Sequence, residues 1–175
     1  MTQYSKRMVI VHWLTLALLI ASWYLGEDLA EATDASKATL AGYIVHASVG
    51  ATILLLTMTR LVFRSKDGMP PAIGQSAVDK LAKGIHHILY FVLFILPVTG
   101  MITITTSDAA KALLAGDASL LPREGGYEHV FAQEVHETLV TVLIVLVAVH
   151  LLGAIKHQFI TKDGLMERMS LHRKD

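Results

Sequence analysis

The sequence predicts an all-α integral membrane protein, a four-helix up-and-down bundle with both termini in the cytoplasm. Three observations predict it. Of 175 residues, 53% are hydrophobic and the mean hydropathy is +0.51, too apolar for an ordinary soluble domain of this length. Four apolar runs each reach the roughly 20 residues that a bilayer crossing needs. Basic residues are also divided unevenly between the connections that those runs define, as the positive-inside rule requires.

The runs lie at about 8–26, 40–63, 85–106 and 130–159, and residues 1–175 read as a single membrane domain. Lys6 and Arg7 precede the first run, as in a secretory signal. The run is long for such a signal, however, and holds His12 and Trp13, so it is expected to remain as a span. Gly68, the pair Pro70-Pro71 and Gly74 mark a loop between the second and third spans. The polar stretch Ser107–His129 separates the third from the fourth; it holds Gly116, Pro122 and Gly125-Gly126, and a short surface helix is expected around Ala109–Ala115. With both termini inside, twelve of the fifteen Lys and Arg residues fall on the inner side and only Lys37, Lys111 and Arg123 on the outer side. The outer connections are acidic, with Glu27, Asp28, Glu31, Asp34, Asp108, Asp117, Glu124 and Glu128.

Several function classes drop out. Without cysteine there are no disulfides, no Cys-ligated iron–sulfur cluster and no C-x-x-C-H haem attachment. Fifteen basic residues balance fifteen acidic ones, so charge gives no reason to expect a nucleic-acid partner. Neither a Walker motif nor a Gly-rich dinucleotide fingerprint occurs, and "HETLV" at His136 fails the metalloprotease H-E-x-x-H motif because Val140 stands at the second histidine position.

Nine histidines in so apolar a chain carry the functional reading. By depth, His12 lies near the inner end of its span and His46 near the outer end of the next. His136 lies near the outer end of the fourth span and His150 further toward the inner end. Two levels follow, His46 with His136 outside and His12 with His150 inside. Fourteen residues separate His136 from His150. At 100° per residue that is about 40° short of four turns, so the two share a face about 21 Å apart along the axis. Neutral imidazole is a good axial ligand for iron, and facing histidines at one level of a bundle suit a flat macrocycle. The reading is two haem b groups held without covalent attachment. Gly42 and Gly50 flank His46, and Gly153 follows His150; the absence of a side chain lets a porphyrin approach the backbone. Structural histidines bonded across helices are the alternative reading of any one of the four. A histidine-based metal or proton transporter is another, although such proteins usually add buried carboxylates, and Glu137 is the only acidic residue well inside a run.

The remaining candidates are secondary. His86 and His87 open the third span and are candidates for the inner haem in place of His12, for a propionate or for a quinone; interface capping is the other reading. His157, seven residues beyond His150, is a candidate quinone contact or a polar helix end. Arg7, Arg60 and Arg64 are candidate propionate partners, since Arg meets carboxylates bidentately; snorkelling anchors are the alternative. His129 and His172 are expected to be solvated.

Four stretches, "YSKRMVIVHWL", "HASVGATILLLTMTRLVFR", "HHILYFVLFILPVTG" and "HETLVTVLIVLVAVHLLGAIKH", resemble the bacterial cytochrome b561 family, which is related to the b-type cytochrome subunits of nickel–iron hydrogenases. They occur in family order and cover all four spans. The resemblance implies two haems b with the pairings His12–His150 and His46–His136. It also implies a multi-pass protein of the bacterial inner membrane, surrounded by lipid, with ubiquinone as co-substrate. Some members resemble superoxide oxidases, which pass electrons from superoxide to ubiquinone, and the compact length favours that branch. A cytochrome subunit fed by a partner dehydrogenase or hydrogenase is the alternative.

Overall fold

The computed structural model describes residues 3–30, 39–71, 77–122 and 130–172. Of the residues read above, Glu31, Asp34, Lys37, Gly74, Arg123, Glu124, Gly125, Gly126, Glu128 and His129 lie outside the described residues, as do Arg173 and Lys174 among the twelve inner basic residues.

Five α-helices form among the described residues: α1 (Lys6–Ala30), α2 (Leu40–Asp67), α3 (Ala77–Thr106), α4 (Asp108–Ala115) and α5 (Phe131–Ile155). All but α4 are long and apolar enough to cross a membrane. The ends carry their expected signals. Thr39 caps α2 by accepting the Gly42 N–H at 3.0 Å. Its last turn holds Arg64 and Lys66, which suit the negative end of the helix dipole, and it stops at Gly68 with φ 72°. The short surface helix expected around Ala109–Ala115 is α4, capped by Ser107 and ended by Gly116 in the left-handed conformation. Buried Thr15 and Thr57 return their hydroxyl hydrogens to carbonyls four residues back, at 2.7 and 2.8 Å, so neither leaves a polar group unsatisfied in hydrocarbon.

One boundary differs from the apolar pattern. Helix α3 begins at Ala77, eight residues ahead of the predicted 85. Its first turns hold Asp79, Lys80 and Lys83, whose charges lower hydropathy without opposing helix formation.

The long helices pack in chain order, α1 on α2, α2 on α3 and α3 on α5. At one end Tyr4 donates its N–H to the Arg168 carbonyl at 3.1 Å, and Arg168 donates from its guanidinium to the Pro71 carbonyl at 2.7 Å. The start of α1, the turn after α2 and the segment after α5 therefore meet. At the other end Leu29, Leu40 and Tyr43 pack with Ala109, Ala112 and Leu121, so α4 lies over the α1–α2 corner. Midway, Leu18 and Leu19 of α1, Val49 and Ile53 of α2, Leu89, Val92, Leu93 and Leu96 of α3, and Leu139, Leu143, Leu146 and Val147 of α5 form one apolar cluster. Large apolar side chains such as Leu55, Phe91 and Leu152 face outward, as a lipid-facing surface requires.

The Arg168 clasp gives a stability prediction. The residue is 8% exposed and ties the C-terminal segment to the α2–α3 connection. Arg168→Ala removes a charged hydrogen bond of about 1.5–3 kcal/mol. Its thermal midpoint in detergent should fall by several degrees, and an unchanged midpoint would show that the clasp contributes nothing.

Candidate functional site: two stacked histidine pairs

The structure brings the four histidines together as two pairs. His12 and His150 have ring centroids 6.3 Å apart with planes at 69°; His46 and His136 stand at 6.4 Å and 72°. The mid-bundle apolar cluster lies between the two levels. Each pair joins helices distant in sequence, α1 with α5 and α2 with α5, so α5 serves both.

His136 is the most tightly positioned ring. Its Nδ1 donates to the Leu96 carbonyl at 3.0 Å, with the Thr99 hydroxyl 3.1 Å away. The carbonyl is an acceptor only, so Nδ1 carries the hydrogen and Nε2 keeps its lone pair. His46 Nδ1 is buried without a hydrogen-bond partner, and the Ser22 backbone lies beside the ring. In the inner pair, Trp13 packs edge-on to His12 at 5.2 Å and donates its indole N–H to the Met169 carbonyl at 3.0 Å.

His86 also reaches the inner pair, at 5.0 Å and 89° from His150. His86 meets His150 edge-on beside the His12–His150 pair. Its Nδ1 donates to the Ala82 carbonyl and that of His87 to the Lys83 carbonyl, both at 2.7 Å. His87 and His172 are exposed. Among the described residues no group of three His, Asp or Glu side chains could hold a metal ion.

The three arginines separate. Arg7 leaves the propionate set: it donates to both carboxylate oxygens of Asp67, the Nε contact being 2.8 Å, and Ser5 bonds the same carboxylate. Its charge is already compensated. Arg60 and Arg64 lie over the Tyr90 ring at 5.6 and 5.7 Å. Arg60 Nε is buried with no partner, within electrostatic reach of His12 and His150.

The glycines separate too. A Cβ at Gly50 or Gly153 would meet nothing within 4 Å, whereas one at Gly42 would meet Leu29 and Thr39 at 3.3 Å. Gly42 therefore serves helix packing, and Gly50 and Gly153 border open space. A Cβ at Gly26 or Gly100 would press on His46 or His136, at 3.3 and 3.1 Å.

Beyond α5 the chain winds a π-helical turn, Lys156–Thr161, so the seven-residue extrapolation from His150 does not fix the direction of His157. Its Nδ1 bonds Asp163 Oδ2 at 2.6 Å, and Asp163 Oδ1 accepts the Leu165 N–H at 3.0 Å. Asp163 gave no signal in the sequence, because the wider turn and the left-handed Lys162 bring it back to His157. Thr99, Gly26 and Gly100 were also missed; only the small-residue spacing could have suggested the glycines.

A four-helix membrane bundle with histidine pairs at two depths defines the class, a membrane protein suited to a planar metal cofactor between its helices. The model of the prokaryotic cytochrome b561 family matches residues 3–170, and the chain belongs to that family, whose members are haem b electron-transfer proteins of the bacterial inner membrane. Cytochrome b562 of Cereibacter sphaeroides is 29% identical over 95% of this chain and 94% of its own. Cytochrome b561 homolog 1 of Escherichia coli K12 is 25% identical over 99% and 100%. The probable superoxide oxidase CybB of Yersinia pestis is 25% identical over 95% of each chain.

Burial pushes the Asp163 carboxyl up, but the hydrogen bonds from His157 and the Leu165 N–H outweigh it and hold the group below its ordinary value. A depressed carboxylate stabilises the fold fully above its unfolded pKa of about 4, and that stability is lost as pH falls through the folded value. Asp163→Asn should melt below the wild type at pH 7, with the difference closing as the pH falls below about 4. A difference independent of pH would exclude the carboxylate as its source.

Proposed function

We propose that the chain is a diheme b-type cytochrome that moves electrons across the inner membrane from superoxide outside to ubiquinone at the inner side. The observation that carries this reading is the matched spacing of the pairs. At 6.3 and 6.4 Å, both pairs leave room between the rings for one metal ion bonded to each at about 2 Å. The surroundings fit the group as well. Open space at Gly50 and Gly153 suits a flat macrocycle, and the unpartnered buried Nε of Arg60 suits a propionate, with Arg64 beside it.

Haem b, when bound, supplies the one-electron chemistry. His12 and His150 would hold the inner group, and His46 and His136 the outer one. The apolar layer between the pairs keeps water out and sets their separation. The excess of basic residues beside the termini supports a cytoplasmic location for that end. His157 then stands at the inner boundary; with its Nδ1–H directed to Asp163, its Nε2 donates to a quinone carbonyl when the ring is protonated and accepts from a quinol hydroxyl when it is neutral. In balance, two superoxide ions become two dioxygen molecules, and one quinone takes up two electrons and two protons.

The relative named as a probable superoxide oxidase supports the donor. One observation favours a second reading, a cytochrome fed by a donor protein: Lys111, the described outer lysine, is paired with Asp108 at 2.6 Å, which weakens attraction of an anion.

Stopped-flow mixing with superoxide decides between them. The first reading expects rapid reduction of the cytochrome and accumulation of quinol. Reduction by quinol but not by superoxide would overturn it in favour of the second. His157→Ala should keep both haems and weaken quinone binding roughly tenfold, from a hydrogen bond of about 1.5 kcal/mol. Loss of a haem would instead make His157 a ligand.

A further inference from the structure

Both outer histidines lean on helices that carry neither of them. His46 belongs to α2 and meets α1 at Gly26, where a Cβ would stand 3.3 Å from ring Cε1 and 3.8 Å from Nδ1. His136 belongs to α5 and meets α3 at Gly100, where a Cβ would stand 3.1 Å from Cε1 and 3.3 Å from Nδ1. Four residues before each glycine is a residue whose backbone lies beside the facing ring. Leu96, before Gly100, accepts from His136 at 3.0 Å; Ser22, before Gly26, lies beside His46.

The offset of four has a geometric reason. Every Cα–Cβ bond of an α-helix tilts toward the N-terminus, so a side chain at i+4 covers the helix surface over residue i. Glycine at i+4 uncovers the carbonyl of residue i. A ring from a neighbouring helix can then approach close enough to use that carbonyl's second lone pair.

We propose that Gly26 and Gly100 are positioning residues of the outer site, each baring a backbone carbonyl to the facing histidine: the Nδ1–H of His136 rests on Leu96, the unpartnered Nδ1 of His46 turns to Ser22 when the site is filled, and Nε2 of each ring is left as the metal ligand. The inference rests on the diheme reading and adds that α1 and α3, which hold no outer ligand, aim both of them. Thr99, 8% exposed, completes the arrangement at His136. Its hydroxyl hydrogen goes to the Leu96 carbonyl at 2.8 Å, so toward Nδ1 the oxygen accepts.

The consequence is electronic. An acceptor on Nδ1–H makes the imidazole a stronger donor, which favours the oxidised metal. Losing that acceptor must raise the outer midpoint potential and leave the inner one alone.

The test uses the full-length, haem-loaded protein in lipid, with redox titration followed by absorbance and low-spin EPR of the oxidised state. The outer component is identified as the one lost in His136→Ala. Gly100→Ala and Gly26→Ala should each raise its potential and shift its EPR signal, or release that haem alone. Thr99→Val should raise the potential less. Gly84→Ala, whose Cβ would meet nothing within 4 Å, should match the wild type. Unchanged potentials in both glycine variants, a fall, or equal shifts of both haems would overturn the inference. If the glycine variants do not accumulate, Thr99→Val decides: an unchanged outer potential overturns it. A wild type with fewer than two haems overturns the diheme reading and this inference with it, whereas two haems with unresponsive variants overturn this inference alone.

Discussion

An imidazole ring inside a bilayer has two nitrogens and almost no water to satisfy them, and this constraint organises the protein. Each unsatisfied polar group in hydrocarbon costs several kcal/mol, so a histidine at depth needs a partner on each side. His136 meets half of that need with the Leu96 carbonyl. The other half falls to whatever lies between it and His46, and the same holds at the inner level for His12 and His150. Helix order, the glycines and the threonines can all be understood as ways of bringing two rings face to face without a clash.

Helix α5 couples the two levels. Its fourteen-residue interval sets both histidines on one face, and the leucines and valine between them join the layer shared by all four long helices. Packing energy and the separation of the two histidine pairs therefore depend on the same residues. The inner end is closed differently, by backbone contacts among Tyr4, Pro71 and Arg168, and by Trp13, which ties His12 to the C-terminal segment.

Much of this could be read from the sequence because hydropathy and spacing record it directly. Four spans follow from bilayer thickness, and the His136–His150 interval is a statement about helical pitch. Helix α4 was legible as a short surface helix around Ala109–Ala115, and its cap at Ser107 and end at Gly116 came with the structure. What escaped depends on contacts between distant segments. Arg7 looked free because Asp67, its partner, lies sixty residues away. Asp163 reaches His157 only because a π-helical turn breaks the 3.6-residue register. The start of α3 was hidden because a hydropathy window cannot distinguish a water-exposed helix from a loop. Gly42, Gly50, Gly26 and Gly100 are identical letters with different surroundings, which only the packed bundle tells apart.

The central claim is that α5 gives one ligand to each of two sites. The most direct measurement is the haem-to-protein ratio of the purified chain, by pyridine haemochrome assay, alongside that of His150→Ala. Two haems per wild-type chain, falling to one in the variant, are predicted. A wild type with one haem or none, or a His150→Ala chain that keeps two, would contradict the claim.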